Sequence, residues 1–300
     1  MITEPEKLLA DCTLCPRACH VDRTKGERGF CGCGAAIAIA HSRVHMWEEP
    51  CISGEEGSGT VFFAGCALGC VFCQNIAIAK PDTGQEMTPE QLAALMLSLQ
   101  EKRVNNINLV TPGHYLPLIV PAIQKAKKTG LHIPVLWNSS GYEDPDKLDL
   151  LEGLVDIFMP DFKYGPSSKA QRWSGVTDYF EKACAAIEKM YALAGDPVFD
   201  DRGMMTRGVL VRHLLLPGCV SDGKKVVDYL LGTYSDHIYI SLMNQYTPMP
   251  GMKNDPQLGR KVTKKEYSRL VDHALQQGLT NGFIQEGEAA SESFIPNFLE

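Results

Sequence analysis

The sequence predicts an α/β protein in which a partial, TIM-like (β/α)6 barrel follows a cysteine-rich N-terminal module. Short β-prone runs alternate with helix-like stretches over residues 60–285, a pattern typical of a parallel sheet covered by helices. Polar residues stand where the apolar runs end, which is where a barrel of this kind carries its chemistry. Nine of the 11 cysteines lie within the first 73 residues, and this crowding predicts the separate module.

Each barrel element is predicted from its own local pattern. Strands are expected where short apolar runs are bounded by turn residues, at 60–64, 106–111, 133–138, 155–161, 208–214, 237–243 and 282–285. Helices are expected at 88–103, 116–128, 144–151, 178–193, 221–233 and 263–277. Thr88 suits an N-cap and Pro89 the first helical position, while Gly130 can end the second helix.

A change in composition near residue 55 predicts the boundary between two units. Residues 1–55 are rich in cysteine, glycine and arginine and show little periodicity. We therefore expect an irregular module that is held by its metal ligands rather than by a core. Residues 56–300 carry the alternation of strands and helices and form the predicted barrel domain.

The composition narrows the classes of function. Lys and Arg number 29 against 36 Asp and Glu, a net charge of −7, which argues against a nucleic-acid-binding protein. The longest apolar stretch, residues 92–99, is far shorter than the roughly 20 residues of a membrane span, and the N-terminus does not resemble a secretory signal. We expect a cytoplasmic protein without a membrane or nucleic-acid partner, whose clustered cysteines bind metal.

Cys66, Cys70 and Cys73 lie on one short segment directly after the first predicted strand. Three thiolates on such a loop can hold three corners of an iron–sulfur cube and leave the fourth iron open. The alternative is a zinc site, which requires a fourth cysteine or histidine nearby. None lies between Cys73 and His114, so the loop favours a [4Fe-4S] cluster.

The Cys-x3-Cys-x2-Cys loop, with the aromatic Phe72 before its last cysteine, resembles that of the radical S-adenosylmethionine (SAM) superfamily. Within the superfamily, the chain resembles the pyruvate formate-lyase activating enzymes and their uncharacterised relatives. Three segments carry this resemblance: residues 59–75, 159–163 and 211–218.

The resemblance implies a radical SAM barrel in which Cys66, Cys70 and Cys73 bind the catalytic [4Fe-4S] cluster. It implies SAM as the cofactor, cleaved reductively to a 5′-deoxyadenosyl radical that abstracts a substrate hydrogen. In the activating enzymes, this hydrogen belongs to a glycine of a partner glycyl radical enzyme. The resemblance therefore implies an anaerobic oxidoreductase with a protein or peptide substrate and a flavodoxin- or ferredoxin-type electron donor.

The resemblance also implies that residues at the strand ends bind the cofactor. The candidates are Phe72, Thr111, His114, Asn138, Ser139, Asp161, Lys163, Arg212 and Gln245. The Asp-x-Lys pair of the family is intact as Asp161 and Lys163. Two positions depart from the family: the loop from Thr111 to His114 replaces the Gly-Gly-Glu of many members, and Asn138 replaces an Asp.

Several of these candidates also have a purely structural interpretation. Asp161 and Lys163 could form a surface ion pair of little energetic consequence. Arg212 lies inside an apolar strand and requires an anionic partner, which is either the SAM carboxylate or a core Asp or Glu. His114 is equally consistent with a residue of the ligand-binding pocket and with a hydrogen-bonded histidine of the loop.

Cys12, Cys15, Cys19 and Cys31 predict a second metal site, in the N-terminal module. Their spacing suits a second [4Fe-4S] cluster or a zinc ion, and a reduced module without metal is a third interpretation. Cys33 is the alternative fourth ligand. Activating enzymes with extra clusters carry them after the radical SAM loop, whereas this module precedes it, so an electron-relay role stays open.

Three functions follow as alternatives. The first is a radical SAM enzyme that activates a glycyl radical enzyme or acts on another peptide or small molecule. The second is a non-catalytic iron–sulfur electron-transfer protein, against which the length of 300 residues argues. The third is a zinc-dependent hydrolase or scaffold.

Overall fold

The protein is described here by a computed structural model that covers residues 5–285, the side chains of residues 5 and 6 excepted. Within this range, ten strands form one sheet. They are β1 Ile37–His45, β2 Ser58–Phe63, β3 Gln85–Met87, β4 Ile107–Val110, β5 Val135–Ser139, β6 Ile157–Pro160, β7 Val198–Phe199, β8 Met205–Leu214, β9 Tyr239–Met243 and β10 Gly282–Ile284.

The helices of the same range lie mainly between these strands. They are α1 Pro5–Ala10, α2 Pro50–Ser53, α3 Pro89–Gln100, α4 Leu116–Lys128, α5 Pro145–Leu148, α6 Lys169–Ser174, α7 Tyr179–Ala194, α8 Val220–Tyr234 and α9 Lys264–Gln276. Short 3-10 turns lie at Arg23–Lys25, Pro81–Thr83, Gly113–Tyr115, Asp149–Leu151 and Pro250–Met252. No helix between residues 5 and 285 has the length and apolar character that crossing a bilayer requires.

The parallel part of the sheet follows the chain order β2, β4, β5, β6, β8, β9 and β10. A helical connection separates each of these strands from the next, as right-handed βα units require. The path of paired strands ends at β10 on one side and at β3 on the other. The predicted α/β class and the partial barrel are therefore confirmed.

β1 is the main difference from the expectation of an irregular segment over residues 1–55. It runs antiparallel to β2, with Ser42 opposite Val61, and β3 pairs with its other edge. An uncovered β2 would expose a row of unpaired backbone groups, and β1 satisfies them. The segment from Ile37 onward is therefore part of the barrel sheet, although the predicted domain boundary lies at residue 55.

The short helix α2 lies against the inner surface of the sheet. Its residues Cys51 and Ile52 pack with Leu136 of β5, Ile157 of β6 and Leu210 of β8. Side-chain amides of the segment before β4 bind its backbone: Asn105 Nδ2 donates to Ser53 O (2.7 Å) and Asn106 Nδ2 to Ile52 O (2.8 Å). Because this segment precedes β4, α2 closes the barrel interior at the N-terminal ends of the strands.

The start of α3 confirms the capping predicted from sequence. Thr88 Oγ1 accepts a hydrogen bond from Gln91 N, and Gln91 Oε1 accepts one from Thr88 N, which is the reciprocal capping box. Pro89 occupies the first turn. The buried face of this helix then packs beside α4 on the outside of the sheet.

Candidate functional site

A cavity of about 790 Å³ opens at the carboxyl ends of the parallel strands and extends inward toward α2. Its wall includes the cysteine loop after β2, the residues that end β4, β5, β6 and β8, and the segment just before α2. The predicted cluster ligands and all of the predicted strand-end residues except His114 therefore face one space. Polar groups converging on one concave site are typical of a ligand-binding cavity.

Cys66, Cys70 and Cys73 all line this cavity. Cys70 is buried, and its sulfur accepts a hydrogen bond of 3.1 Å from the Ser174 hydroxyl. Burial raises the pKa of the Cys73 thiol to about 12, with further increases from the nearby Cys70 and Cys66 and a decrease from Lys163. The three sulfurs are thus close enough to interact electrostatically.

The cysteine loop is built on two glycines whose backbone favours residues without a side chain. Gly65 and Gly69 have φ angles of +83° and +66°. A Cβ atom on Gly65 would collide with Cys33 Sγ, and one on Gly69 would lie 2.9 Å from the Phe30 ring. Cys33 and Phe30 belong to the N-terminal module, so the module packs directly against the back of the loop.

Arg17 makes the strongest connection between the module and the loop. Its guanidinium donates to four carbonyl oxygens, those of Ala67 (3.0 Å), Leu68 (3.1 Å), Ser174 (2.8 Å) and Gly175 (3.1 Å). It also lies over the Phe30 ring at 3.4 Å from the centroid. No local pattern around Arg17 indicates these partners, because they lie 50 or more residues away in the sequence.

A network of charges occupies the wall of the cavity below the cysteine loop. Arg212 donates from Nε to Asp161 Oδ1 (3.0 Å), from one terminal nitrogen to Glu48 Oε2 (3.0 Å) and from the other to Asn138 Oδ1 (2.8 Å). Lys163 Nζ lies 2.6 Å from Asp161 Oδ2. The partner of Arg212 is therefore a buried acid, which was one of the two alternatives considered for it.

The network keeps Asp161 and Lys163 in their charged forms. Burial alone would raise the pKa of Asp161, but Lys163 and Arg212 together outweigh burial and lower it. Burial would lower the pKa of Lys163, and the Asp161 carboxylate reverses that effect. Asp161 and Lys163 are consequently a half-buried pair inside a cavity rather than a surface ion pair.

Of the nine predicted cofactor residues, eight line the cavity: Phe72, Thr111, Asn138, Ser139, Asp161, Lys163, Arg212 and Gln245. Phe72 is buried against the edges of the Tyr164, Trp173 and Tyr246 rings. Thr111 has a φ angle of +57°, a strained conformation for a β-branched residue. Strain of this kind concentrates at functional sites.

His114 is the exception, and here the structure corrects the expectation of a cofactor contact. The residue is 3% exposed and is not part of the cavity wall. Its Nε2 pairs with Ala64 O at 2.8 Å, and Arg23 donates to its carbonyl oxygen at 2.6 Å. Burial lowers its pKa to about 4. His114 is thus a hydrogen-bonded structural histidine behind the cysteine loop, because the turn after Thr111 directs it away from the cavity.

The four cysteines proposed as ligands in the module also lie near one another. Burial raises the pKa of Cys15 to about 12, and Cys31, Cys12 and Cys19 each raise it further. Cys33, the alternative ligand, is 1% exposed and lies near Ala64 O at 3.6 Å. Among residues 5–285, no three His, Cys, Asp or Glu side chains are arranged around a point that could hold a single metal ion.

Glu48 and Glu49 are the site residues that sequence reasoning missed. They precede Pro50 and α2 and lie in the segment assigned to the N-terminal module, far in sequence from the strand ends. A Glu-Glu-Pro triplet has no spacing that indicates a site. Only the return of α2 into the barrel brings these carboxylates to Arg212.

Comparison with known proteins places these observations in context. The family described as the radical SAM superfamily matches residues 60–215. A curated, uncharacterised protein of Methanocaldococcus jannaschii is 28% identical over 284 residues, which cover 91% of this chain and 77% of that protein.

Two solved structures are similar at low sequence identity. A domain of a pyruvate-formate lyase-activating enzyme from Bacteroides vulgatus is 12% identical, covers 57% of this chain and 92% of its own, and has a TM-score of 0.40. Streptococcus suis SuiB, solved with its precursor peptide SuiA, is 13% identical, covers 74% of this chain and 46% of its own, and has a TM-score of 0.49.

Proposed function

The chain belongs to the radical SAM superfamily, and on that premise we propose that Cys66, Cys70 and Cys73 bind its [4Fe-4S] cluster in the cavity described above. The family implies this cluster and SAM as cofactors and an enzyme with redox chemistry. When bound, the cluster and SAM supply a reductively formed 5′-deoxyadenosyl radical that can abstract a hydrogen atom.

The cysteine loop fits such a cluster. Its three thiols line the cavity, and they are the only cysteines of the described part of the chain that do so. The Ser174 hydroxyl donates to Cys70, a hydrogen bond of the kind that supports a thiolate ligand. A three-thiol set leaves one iron open toward the cavity, which is the coordination that SAM needs.

We propose that the eight cavity-lining candidates bind SAM. They combine a buried aromatic side chain, Phe72, with amide, hydroxyl and charged groups at the strand ends. Asn138 and Asp161 hold Arg212 in place, and the Gln285 amide donates to Gln245 Oε1 at 3.0 Å. These contacts orient polar groups before any ligand enters, which lowers the cost of binding.

We further propose that the hydrogen donor is a protein or peptide, with a glycine of a partner enzyme as the first candidate and a small molecule as the second. The support is the resemblance of residues 59–75, 159–163 and 211–218 to the activating enzymes. A flavodoxin- or ferredoxin-type protein is the proposed electron donor on the same basis.

For the N-terminal module we propose a metal site formed by Cys12, Cys15, Cys19 and Cys31. The mutual electrostatic influence of the four thiols supports this set. A second [4Fe-4S] cluster is the first candidate, and zinc is the alternative. The direct packing of the module on the cysteine loop, through Arg17, makes an electron relay to the first cluster the role to test.

The decisive experiment is anaerobic reconstitution followed by iron, zinc and sulfide analysis and reduction in the presence of SAM. We expect 5′-deoxyadenosine from the wild type and none from Cys66→Ala, Cys70→Ala or Cys73→Ala. Cys184→Ala is the matched control, since Cys184 lies on α7 outside the cavity. Wild-type protein with a verified cluster that forms no 5′-deoxyadenosine would refute the proposal, and an EPR signal unchanged by SAM would favour the electron carrier.

A further inference from the structure

Glu49 is a buried acid in the part of the cavity that α2 closes. It is 7% exposed and lines the cavity together with Glu48, Arg212 and Ser241. The adjacent Glu48 accepts a 2.9 Å hydrogen bond from Asn108, a residue of β4 that precedes the strand end at Thr111. Glu49 therefore lies deeper in the barrel than the strand-end residues proposed to bind SAM.

One carboxylate oxygen of Glu49 has no hydrogen-bond partner. Its Oε2 atom is buried and accepts no bond from any residue between 5 and 285. Glu48 differs, because Asn108 and Arg212 donate to its two oxygens. A buried carboxylate oxygen without a donor is costly to leave unsatisfied, so a donor from a bound ligand would stabilise the ionised Glu49.

The cations near Glu49 are already paired with other carboxylates. Arg212 is bound by Asp161 and Glu48, and Lys163 is bound by Asp161. Besides these two carboxylates and two cations, the only other Lys, Arg, Asp or Glu side chains among the described residues of the cavity wall are Glu49 and the exposed Lys80. Glu49 thus adds a negative charge beside a group of ions whose cations are already engaged.

Asp161, Glu48 and Glu49 together outnumber Arg212 and Lys163 by one negative charge. His45, which also lines the cavity, does not compensate, because burial and the nearby arginines lower its pKa to about 4. Burial raises the pKa of both Glu48 and Glu49, partly offset by Arg212, so the excess of negative charge holds when both acids are ionised. A cationic ligand would remove both the missing hydrogen bond and the excess charge.

We propose that Glu49 binds a cationic nitrogen group of the substrate, an ammonium or a guanidinium. The inference rests on the proposed function and specifies its substrate class: a peptide with a lysine or arginine near the reacting position, or a small molecule with an amine. Trp47, which is 68% exposed, also lines this cavity.

SAM itself carries an ammonium group and is the other source of the same chemistry. The depth of Glu49 assigns the cation to the substrate, since the strand-end residues and the cysteine loop lie nearer the cavity mouth. An ordered water, or a proton on Glu49, would also relieve the unpaired oxygen, and either would abolish the preference for a cation. The test therefore has to separate a substrate cation, SAM and no cation at all.

The test compares Glu49→Gln with Glu55→Gln in the reconstituted full-length holoenzyme. Both changes remove one carboxylate, but Glu55 is exposed and is not part of the cavity wall. The probes are butylammonium chloride, its neutral counterpart 1-butanol, and SAM, each titrated by NMR or calorimetry. Circular dichroism and thermal unfolding show that each variant is folded.

We expect the wild type and Glu55→Gln to prefer butylammonium over 1-butanol. Glu49→Gln should lose affinity for butylammonium by about tenfold or more, as the loss of a charge-assisted hydrogen bond predicts. Its affinity for 1-butanol should not change. Glu49→Asp keeps the charge on a side chain that is one methylene shorter. It should therefore still prefer butylammonium over 1-butanol, with weaker binding. This variant replaces Glu49→Gln in the test if Glu49→Gln does not fold.

Three results would overturn the inference. One is a wild type that does not distinguish butylammonium from 1-butanol, which is the outcome for a bound water or a protonated acid. Another is unchanged butylammonium affinity in both Glu49 variants. The third is a loss of SAM affinity in Glu49→Gln as large as the loss for butylammonium, which would assign the cation to SAM. Formation of 5′-deoxyadenosine by the wild type tests the proposed function separately.

Discussion

Arg17 Nε donates a hydrogen bond of 3.0 Å to the carbonyl oxygen of Ala67, the residue that follows the first cysteine of the cysteine loop. The same guanidinium binds three further carbonyl oxygens of the barrel domain. An N-terminal side chain thus holds the backbone of the loop that presents the proposed cluster ligands. The geometry of this loop consequently depends on the N-terminal module.

Removing this connection should loosen the loop. We expect Arg17→Ala to lower the free energy of unfolding by about 2–4 kcal/mol, since four charge-assisted hydrogen bonds to carbonyls, three of them partly buried, are lost. Denaturant unfolding of the reconstituted protein measures this loss, and iron analysis should show lower cluster retention. Arg28→Ala is the control, because the hydrogen bond that Arg28 donates to the Gly32 carbonyl stays within the N-terminal module. Equal losses in the two variants would contradict a specific role for Arg17.

The cysteines of the N-terminal module should bind metal in addition to the metal bound by the cysteine loop. Replacement of Cys12, Cys15, Cys19 or Cys31 by Ser should remove one metal site from the reconstituted protein: about four irons if the site holds a cluster, or one zinc. Elemental analysis distinguishes the two. Cys51→Ser is the control. A loss of metal in Cys33→Ser but not in Cys31→Ser would identify Cys33 as the fourth ligand. Metal content that stays unchanged in every variant other than the control would exclude the site.

Arg212 should be costly to remove, because its loss leaves Glu48 without a cation and Asp161 with Lys163 alone. We expect Arg212→Met to destabilise the protein by about 3–5 kcal/mol. Adding Glu48→Gln to that variant should recover part of the loss, because one uncompensated charge disappears. A double-mutant cycle on urea unfolding measures the coupling between Arg212 and Glu48, and additive effects would show that their 3.0 Å contact contributes nothing.

Glu143 should make stability depend on pH. It is 8% exposed beneath the turn at Gly113, and burial raises its pKa from 4.5 to about 7, with Trp137 and Ser139 offsetting part of the effect. Below pH 4.5 it is protonated in both the folded and unfolded states. Between pH 4.5 and 7 only the unfolded state releases the proton, so stability falls as pH rises.

This change should amount to at most about 3 kcal/mol between pH 4.5 and 7. Glu143→Gln should flatten that part of the stability curve, measured by chemical denaturation at a series of pH values. The exposed Glu152→Gln should leave the curve unchanged. A Glu143→Gln curve parallel to that of the wild type would show that this carboxyl does not cause the slope.

Thr111 should gain stability from glycine rather than from alanine. Its φ of +57° disfavours any residue with a Cβ, so Thr111→Gly removes strain that Thr111→Ala retains. We expect Thr111→Gly to be more stable than Thr111→Ala by about 1 kcal/mol in equilibrium unfolding. The reverse order would indicate that the backbone at this strand end is not strained.

Local sequence patterns predicted most of the barrel. The helix Leu116–Lys128 coincides with its prediction, and the seven parallel strands lie within a few residues of theirs, because a buried strand or an amphipathic helix shows its periodicity in the residues themselves. The elements that were missed are β1, which lies between β2 and β3, and the elements of two to six residues β3, β7, α1, α2 and α6. These short elements span too few residues for a period to be visible.

The sequence by itself determined the family and the position of the cysteine loop, because Cys66, Cys70 and Cys73 are neighbours along the chain after a recognisable strand. It also determined that Arg212 needs an anionic partner. Only the tertiary structure decided that Glu48, 164 positions away, provides that partner, that His114 points away from the cavity, and that Glu49 lies inside it. Contacts between such distant segments depend on how α2 folds back into the barrel, and no local periodicity records that path.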